Sequence, residues 1–156
     1  MVSIVVDRLF KEFRNDRGIG IAFLYCNFRQ QQEQQLIDLF LSLLKQFSQR
    51  QPLLPECVTR LYKDHEKNRT RPSFDKISNA LYFVIANCSR AFIIIDALHE
   101  CSGADRVLPR YMEELFSLQE KTGCSILATS RPILGIPKEF ERAKEGNEAI
   151  QGEFYE

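Results

Sequence analysis

At 156 residues, with 44% apolar and 27% charged side chains, the chain is sized for one globular domain with a real core. Lys+Arg and Asp+Glu balance at 21 each, so no net field draws it toward nucleic acid or an anionic membrane surface. No apolar run approaches the ~20 residues of a membrane span, and Asp7 and Arg8 interrupt the amino terminus too early for a signal peptide.

The first element predicted is a helix over residues 2–13. Val2, Val5, Val6, Leu9, Phe10 and Phe13 share one face, and Asp7, Arg8, Lys11 and Glu12 the other. A turn at 15–18 leads into a strand over 19–27 that is small or apolar on both sides. The glutamine run at 30–35 reads as an exposed helix entry. Leu36, Ile37, Phe40, Leu43, Leu44 and Phe47 then mark a strongly amphipathic helix, broken by Pro52 and Pro55. Val58, Leu61, Tyr62 and His65 suggest a shorter helix, with His65 a half-buried structural residue and the basic stretch 67–71 a solvated loop. Ser73 is a good N-cap for the next helix, whose inner face is Phe74, Ile77, Leu81, Val84, Ile85 and Cys88.

Residues 92–95 form a short apolar run that ends abruptly in Asp96. Such a run reads as a strand buried on both faces of a parallel sheet. Ligands in open α/β sheets collect at the carboxyl ends of strands. An acid there, with Glu100 four residues on, suits a Mg²⁺ ion and a polarised water beside a nucleotide phosphate. A helix follows, with Val107, Leu108, Tyr111, Met112, Leu115 and Phe116 inward and Gly123 as its C-cap. A third strand spans 124–129 and leads to Ser130 and Arg131. Helices between buried strands imply right-handed crossovers and a parallel sheet. The phenylalanines, among them Phe40, Phe47, Phe74, Phe83 and Phe116, fall mainly at core spacing. The five cysteines, odd in number and scattered, suit reduced thiols in a cytoplasmic protein. Residues 143–156 carry almost no apolar periodicity and read as an unpacked tail behind a domain over 1–142.

Taken together, Phe92-Ile-Ile-Ile-Asp-Ala-Leu-His-Glu-Cys and Ile126-Leu-Ala-Thr-Ser-Arg resemble the Walker B and sensor-1 strands of the NACHT-type P-loop NTPase module of STAND signalling proteins, in its nephrocystin-3-like N-terminal form. Ser3-Ile-Val-Val-Asp-Arg-Leu, Ile21-Ala-Phe-Leu-Tyr-Cys-Asn and Arg71-Pro-Ser-Phe-Asp extend the resemblance from about residue 2 to residue 140, in order and spacing. The resemblance implies a three-layer P-loop-NTPase-like α/β fold and an intracellular switch module that uses Mg²⁺ with ATP or GTP. It implies that Asp96 holds the metal, Glu100 polarises the attacking water and Arg131 senses the γ-phosphate. These roles suit a carboxylate toward a hard cation and a guanidinium toward phosphate oxygens.

Two departures limit the expectation. None of the seven glycines opens Gly-Lys-Ser or Gly-Lys-Thr, so the Walker A loop, which supplies most of the phosphate binding, is absent. His99 stands where the family commonly has an acid. The chain is therefore expected to be an incomplete module, the product of a truncated gene or gene model, with its P-loop strand missing and no nucleotide binding alone. The sheet order expected is sensor-1, Walker B, second strand, with the sensor-1 strand as a raw edge. Partners would be a second copy or the other domains of a parent STAND protein. The alternative is an NTPase-shaped interaction or oligomerisation module without catalysis. A thiol or metal enzyme using Asp96, His99 and Cys101 is a third class, although three residues of one tight loop rarely converge on one point.

Overall fold

The computed structural model describes residues 2–27, 36–101 and 107–131. The glutamine run, the 102–104 loop and the tail lie outside them. Helix α1 (Val2–Glu12) precedes strand β1 (Ile19–Tyr25), followed by α2 (Leu36–Arg50), α3 (Glu56–Asn68) and α4 (Phe74–Ala86). Strand β2 (Arg90–Asp96), a 3₁₀ turn (Leu98–Cys101), α5 (Val107–Thr122) and β3 (Ser125–Ala128) complete the order.

The three strands form one sheet in the order β1-β2-β3, with both pairs parallel. This is the order expected of an incomplete P-loop-like α/β fold. The register sets Tyr25 beside Asp96 and Ile95 beside Ala128, so the carboxyl ends of the three strands fall on one rim.

Alternation along the strands divides the core into two layers. Ile19, Ile21 and Ile94 pack with Val6, Leu9, Phe10 and Phe13 on the α1 side. Ala22, Leu24, Ile93 and Ile95 face the larger cluster built from α2, α4 and α5, in which Phe40, Phe47, Leu81 and Tyr111 have no exposed surface. Gly20 permits the close approach of α2. A Cβ at that position would lie 2.6 Å from two ring carbons of Phe47 and 2.9 Å from Cys88 Sγ. Gly123 closes α5 at φ +69°, where its N–H donates to Gln119 O at 2.7 Å, as a left-handed C-cap requires.

Three expectations need correction. Ser73 does occupy the N-cap of α4, yet its hydroxyl makes no capping bond and only its carbonyl accepts, from Ile77 N at 3.2 Å. Phe83 is 55% exposed. It lies two residues from Leu81, about 200° around the helix, so it falls opposite the buried face and packs edge-on against Tyr82 instead. Cys26 and Cys101 are joined in a disulfide, with Cα atoms 5.0 Å apart, and are not the reduced thiols expected. Cys57, Cys88 and Cys124 are free, and burial pushes the Cys88 and Cys124 thiols up, away from the reactive thiolate.

The two sheet edges are treated differently. On the outer side of β1, the Gln46 amide reproduces a strand partner: Phe23 N donates to Gln46 Oε1 at 3.0 Å, and Gln46 Nε2 donates to Phe23 O at 2.8 Å. Arg50 Nε adds a bond to Ile19 O at 3.1 Å while its guanidinium lies over the Phe10 ring. That edge is closed by side chains. Among the described residues nothing bonds to the outer edge of β3, and Leu127 on its α1-side face is 44% exposed.

Candidate functional site

Asp96 is the last residue of β2, and the chain turns sharply behind it. Ala97 takes φ 56°, in the left-handed region that a side chain with a Cβ rarely adopts. Four bonds over-determine this turn, and Thr129 makes all but one of them. Its hydroxyl donates to Asp96 Oδ1 and accepts from Ala97 N at 3.2 Å, and its carbonyl accepts from Leu98 N at 2.8 Å. The remaining one runs from Glu100 N to Ala97 O at 2.7 Å and closes the 3₁₀ turn. Thr129 N also continues the ladder by donating to Ile95 O at 2.9 Å. One threonine after β3 thus fixes the carboxylate, the strained backbone and the start of the turn that carries Glu100.

The other predicted site residues gather on the same rim. Arg131 N donates to His99 Nδ1 at 3.1 Å. That bond makes Nδ1 the acceptor, so the neutral ring carries its proton on Nε2, 3.7 Å from Glu100 Oε1. Asp96, His99 and Glu100 are half-buried, and Arg131 is exposed. On the far side, Cys26 N donates to Asp96 O at 3.1 Å, and Cys26 is bonded through sulfur to Cys101. Asp96, Glu100 and Arg131 therefore share one rim, with the turn that carries Glu100 held to the end of β3 by Leu98 N to Thr129 O and by Arg131 N to His99 Nδ1.

The family model described as Nephrocystin 3, N-terminal matches residues 1–131. The chain belongs to the nephrocystin-3 N-terminal family. No curated protein and no solved structure matches it. The part of this nephrocystin-3 N-terminal chain that the family covers takes in all three strands and every predicted site residue.

Sequence reasoning missed Thr129. A threonine closing a strand looks like an ordinary β-former, and only the parallel register reveals that its hydroxyl reaches Asp96. With Cys101 joined to Cys26, the thiol-enzyme alternative has no free nucleophile in this structure. Among the described residues no three His, Cys, Asp or Glu side chains gather as a metal site. The donor set fits Mg²⁺ only in part: Asp96 supplies carboxylate oxygen, while water and phosphate oxygens would have to complete the octahedron. No helix among the described residues is long and apolar enough to cross a membrane. An apolar groove of about 610 Å³ between α2 and α3, lined by Leu44, Leu54, Val58 and Leu61, shares no residue with this rim.

The strain at Ala97 gives a directional prediction. Ala97→Gly removes a left-handed penalty of roughly 1–2 kcal/mol, partly offset by the greater freedom of glycine in the unfolded chain. The variant is expected to be more stable by about 0.5–1 kcal/mol in urea denaturation. A loss of stability of similar size would mean that Ala97 is not held in this conformation.

Proposed function

We propose that this domain is the Walker B and sensor-1 half of a NACHT-type nucleotide switch in a STAND signalling protein. The observation that carries the reading is the shared rim: one carboxylate ends β2 and a second lies in the turn behind it, an arginine follows β3, and Thr129 ties the two strand ends together. Membership of the nephrocystin-3 N-terminal family supports it. In this reading Asp96 holds Mg²⁺ through water, Glu100 polarises the attacking water, and Arg131 meets the γ-phosphate. The bound ion would supply charge neutralisation for the triphosphate. The sequence has no Gly-Lys-Ser or Gly-Lys-Thr loop and the described residues make no triphosphate cradle, so no hydrolytic step is assigned to this chain by itself. His99, a neutral hydrogen-bond acceptor toward Arg131 N, contributes no anionic oxygen to the metal.

The test is a titration of fluorescent ATP and GTP analogues with Mg²⁺, on this chain and on a fusion placing a strand and a Gly-x-x-x-x-Gly-Lys-Ser loop before Met1. Binding is expected only in the fusion, and Asp96→Asn should weaken it about tenfold or more with Mg²⁺ but not in EDTA. A folded fusion that binds neither nucleotide would remove the reading. Tight binding by the unfused chain would refute the claim that the cradle is missing.

The second reading is an interaction module without catalysis, and one observation favours it. β1 is closed at its edge by Gln46 and Arg50, whereas among the described residues nothing bonds to the outer edge of β3, where Leu127 is 44% exposed. Such an edge is a template for another strand. A monodisperse dimer of the chain in size-exclusion chromatography supports this reading, and a monomer counts against it.

A further inference from the structure

The rim carries a feature that nucleotide chemistry does not call for. Cys26 and Cys101 are 75 residues apart in sequence, and each is only 4% exposed. Each also adjoins a site carboxylate: Cys26 N donates to the carbonyl of Asp96, and Cys101 directly follows Glu100 at the end of the 3₁₀ turn. The Leu98–Thr129 bond at its first residue and the bond from Arg131 N to His99 also tie the turn to the sheet. Its last residue is anchored to β1 by sulfur.

We propose that Cys26 and Cys101 form a reversible, redox-controlled latch that fixes the turn carrying Glu100 onto the carboxyl end of β1. The oxidant is a low-molecular-weight disulfide such as oxidised glutathione. One cysteine thiolate attacks a glutathione sulfur, forming a mixed disulfide and releasing one glutathione thiolate. The second cysteine thiolate then attacks the protein sulfur of that mixed disulfide and releases the other glutathione. The two cysteines lose two electrons and two protons, and two molecules of reduced glutathione carry them away. Because both sulfurs are buried, exchange in either direction passes through local opening of the 98–101 turn. The bridge itself rests on geometry alone; its effect on Glu100 as a water-polarising group rests on the function proposed above.

The experiment uses the full chain, first reduced and then equilibrated with oxidised glutathione, with readouts that need no nucleotide. Non-reducing peptide mapping should recover the 26–101 link, and excess reduced glutathione should remove it from the folded protein. Amide exchange at Leu98, Glu100 and Arg131 should slow on oxidation by about tenfold or more, and the thermal midpoint should rise by roughly 5–10 °C. Cys101→Ser should abolish both responses and keep the exchange rates of the reduced wild type. Links confined to Cys57, Cys88 or Cys124, or no link, would overturn the proposal. So would a 26–101 link that leaves the turn amides unchanged, or one that reduced glutathione cannot open. Failure of nucleotide binding in the fusion would leave these readouts untouched, so the two ideas fail separately.

Discussion

Replacing Phe47 by alanine should cost about 3–5 kcal/mol, enough to bring a domain of this size close to the edge of folding. Phe47 has no exposed surface and lies in the larger core, with its ring directly over the Cα of Gly20. Truncation removes the ring and leaves a cavity that neither partner can fill. Gly20 has no side chain to move in, and β1 is held in place by Gln46 and Arg50 from the same helix. The reciprocal change, Gly20→Ala, fails for the opposite reason. Its Cβ would sit 2.6 Å from the Phe47 ring, and overpacking of that kind costs about 1–3 kcal/mol. Because the two residues touch, the changes must not add. Gly20→Ala combined with Phe47→Leu should be less destabilised than the sum of the singles by at least about 0.5 kcal/mol. Urea denaturation of the wild type and the four variants measures all of this. A Phe47→Ala cost below about 1 kcal/mol would mean that α2 does not pack on β1 as described.

The helices and the sheet were legible in the sequence because each is written in a local period. α2 shows this best, since Leu39, Phe40, Leu43, Leu44 and Phe47 are the buried face and recur at helical spacing. β2 was readable as a doubly buried strand, and Ile93, Ile94 and Ile95 are all at or below 1% exposure. Phe83 was misjudged because an aromatic inside an apolar helix counts toward the core until its angle is compared with that of Leu81.

The gathering of Asp96, Glu100 and Arg131 on one rim was legible for a different reason. Parallel strands send their carboxyl ends to the same side, whatever their loops contain. What stayed hidden is carried by contacts between residues far apart in the chain. No local pattern shows that Gln46 completes the edge of β1, that Thr129 holds Asp96, or that two of five scattered cysteines meet. Such pairings depend on register and on which helix crosses which strand, and a single sequence states neither.

The largest effect expected at the rim itself comes from Thr129→Val. Valine keeps the β-branched shape and the strand preference of threonine, so the packing of β3 should survive. What disappears is one hydroxyl with two duties. It donates to the Asp96 carboxylate, a charge-assisted bond, and it satisfies the N–H of Ala97 in its left-handed turn. Losing a bond to a charged group costs roughly 1.5–3 kcal/mol in a part-buried setting, and the stranded Ala97 N–H adds to it. The expected loss is therefore about 2–3 kcal/mol in urea denaturation, with faster amide exchange at Ala97 and Leu98 while the strand amides of β2 stay protected. Thr129→Ser keeps the hydroxyl and should recover most of both effects, which packing alone would not do. Ala97→Gly acts on the same turn from the other side. Because the hydroxyl bonds the N–H of the residue whose backbone is left-handed, the two changes share one turn and should depart from additivity by at least about 0.5 kcal/mol. Strict additivity of the two changes would show that the hydroxyl and the strained turn are independent.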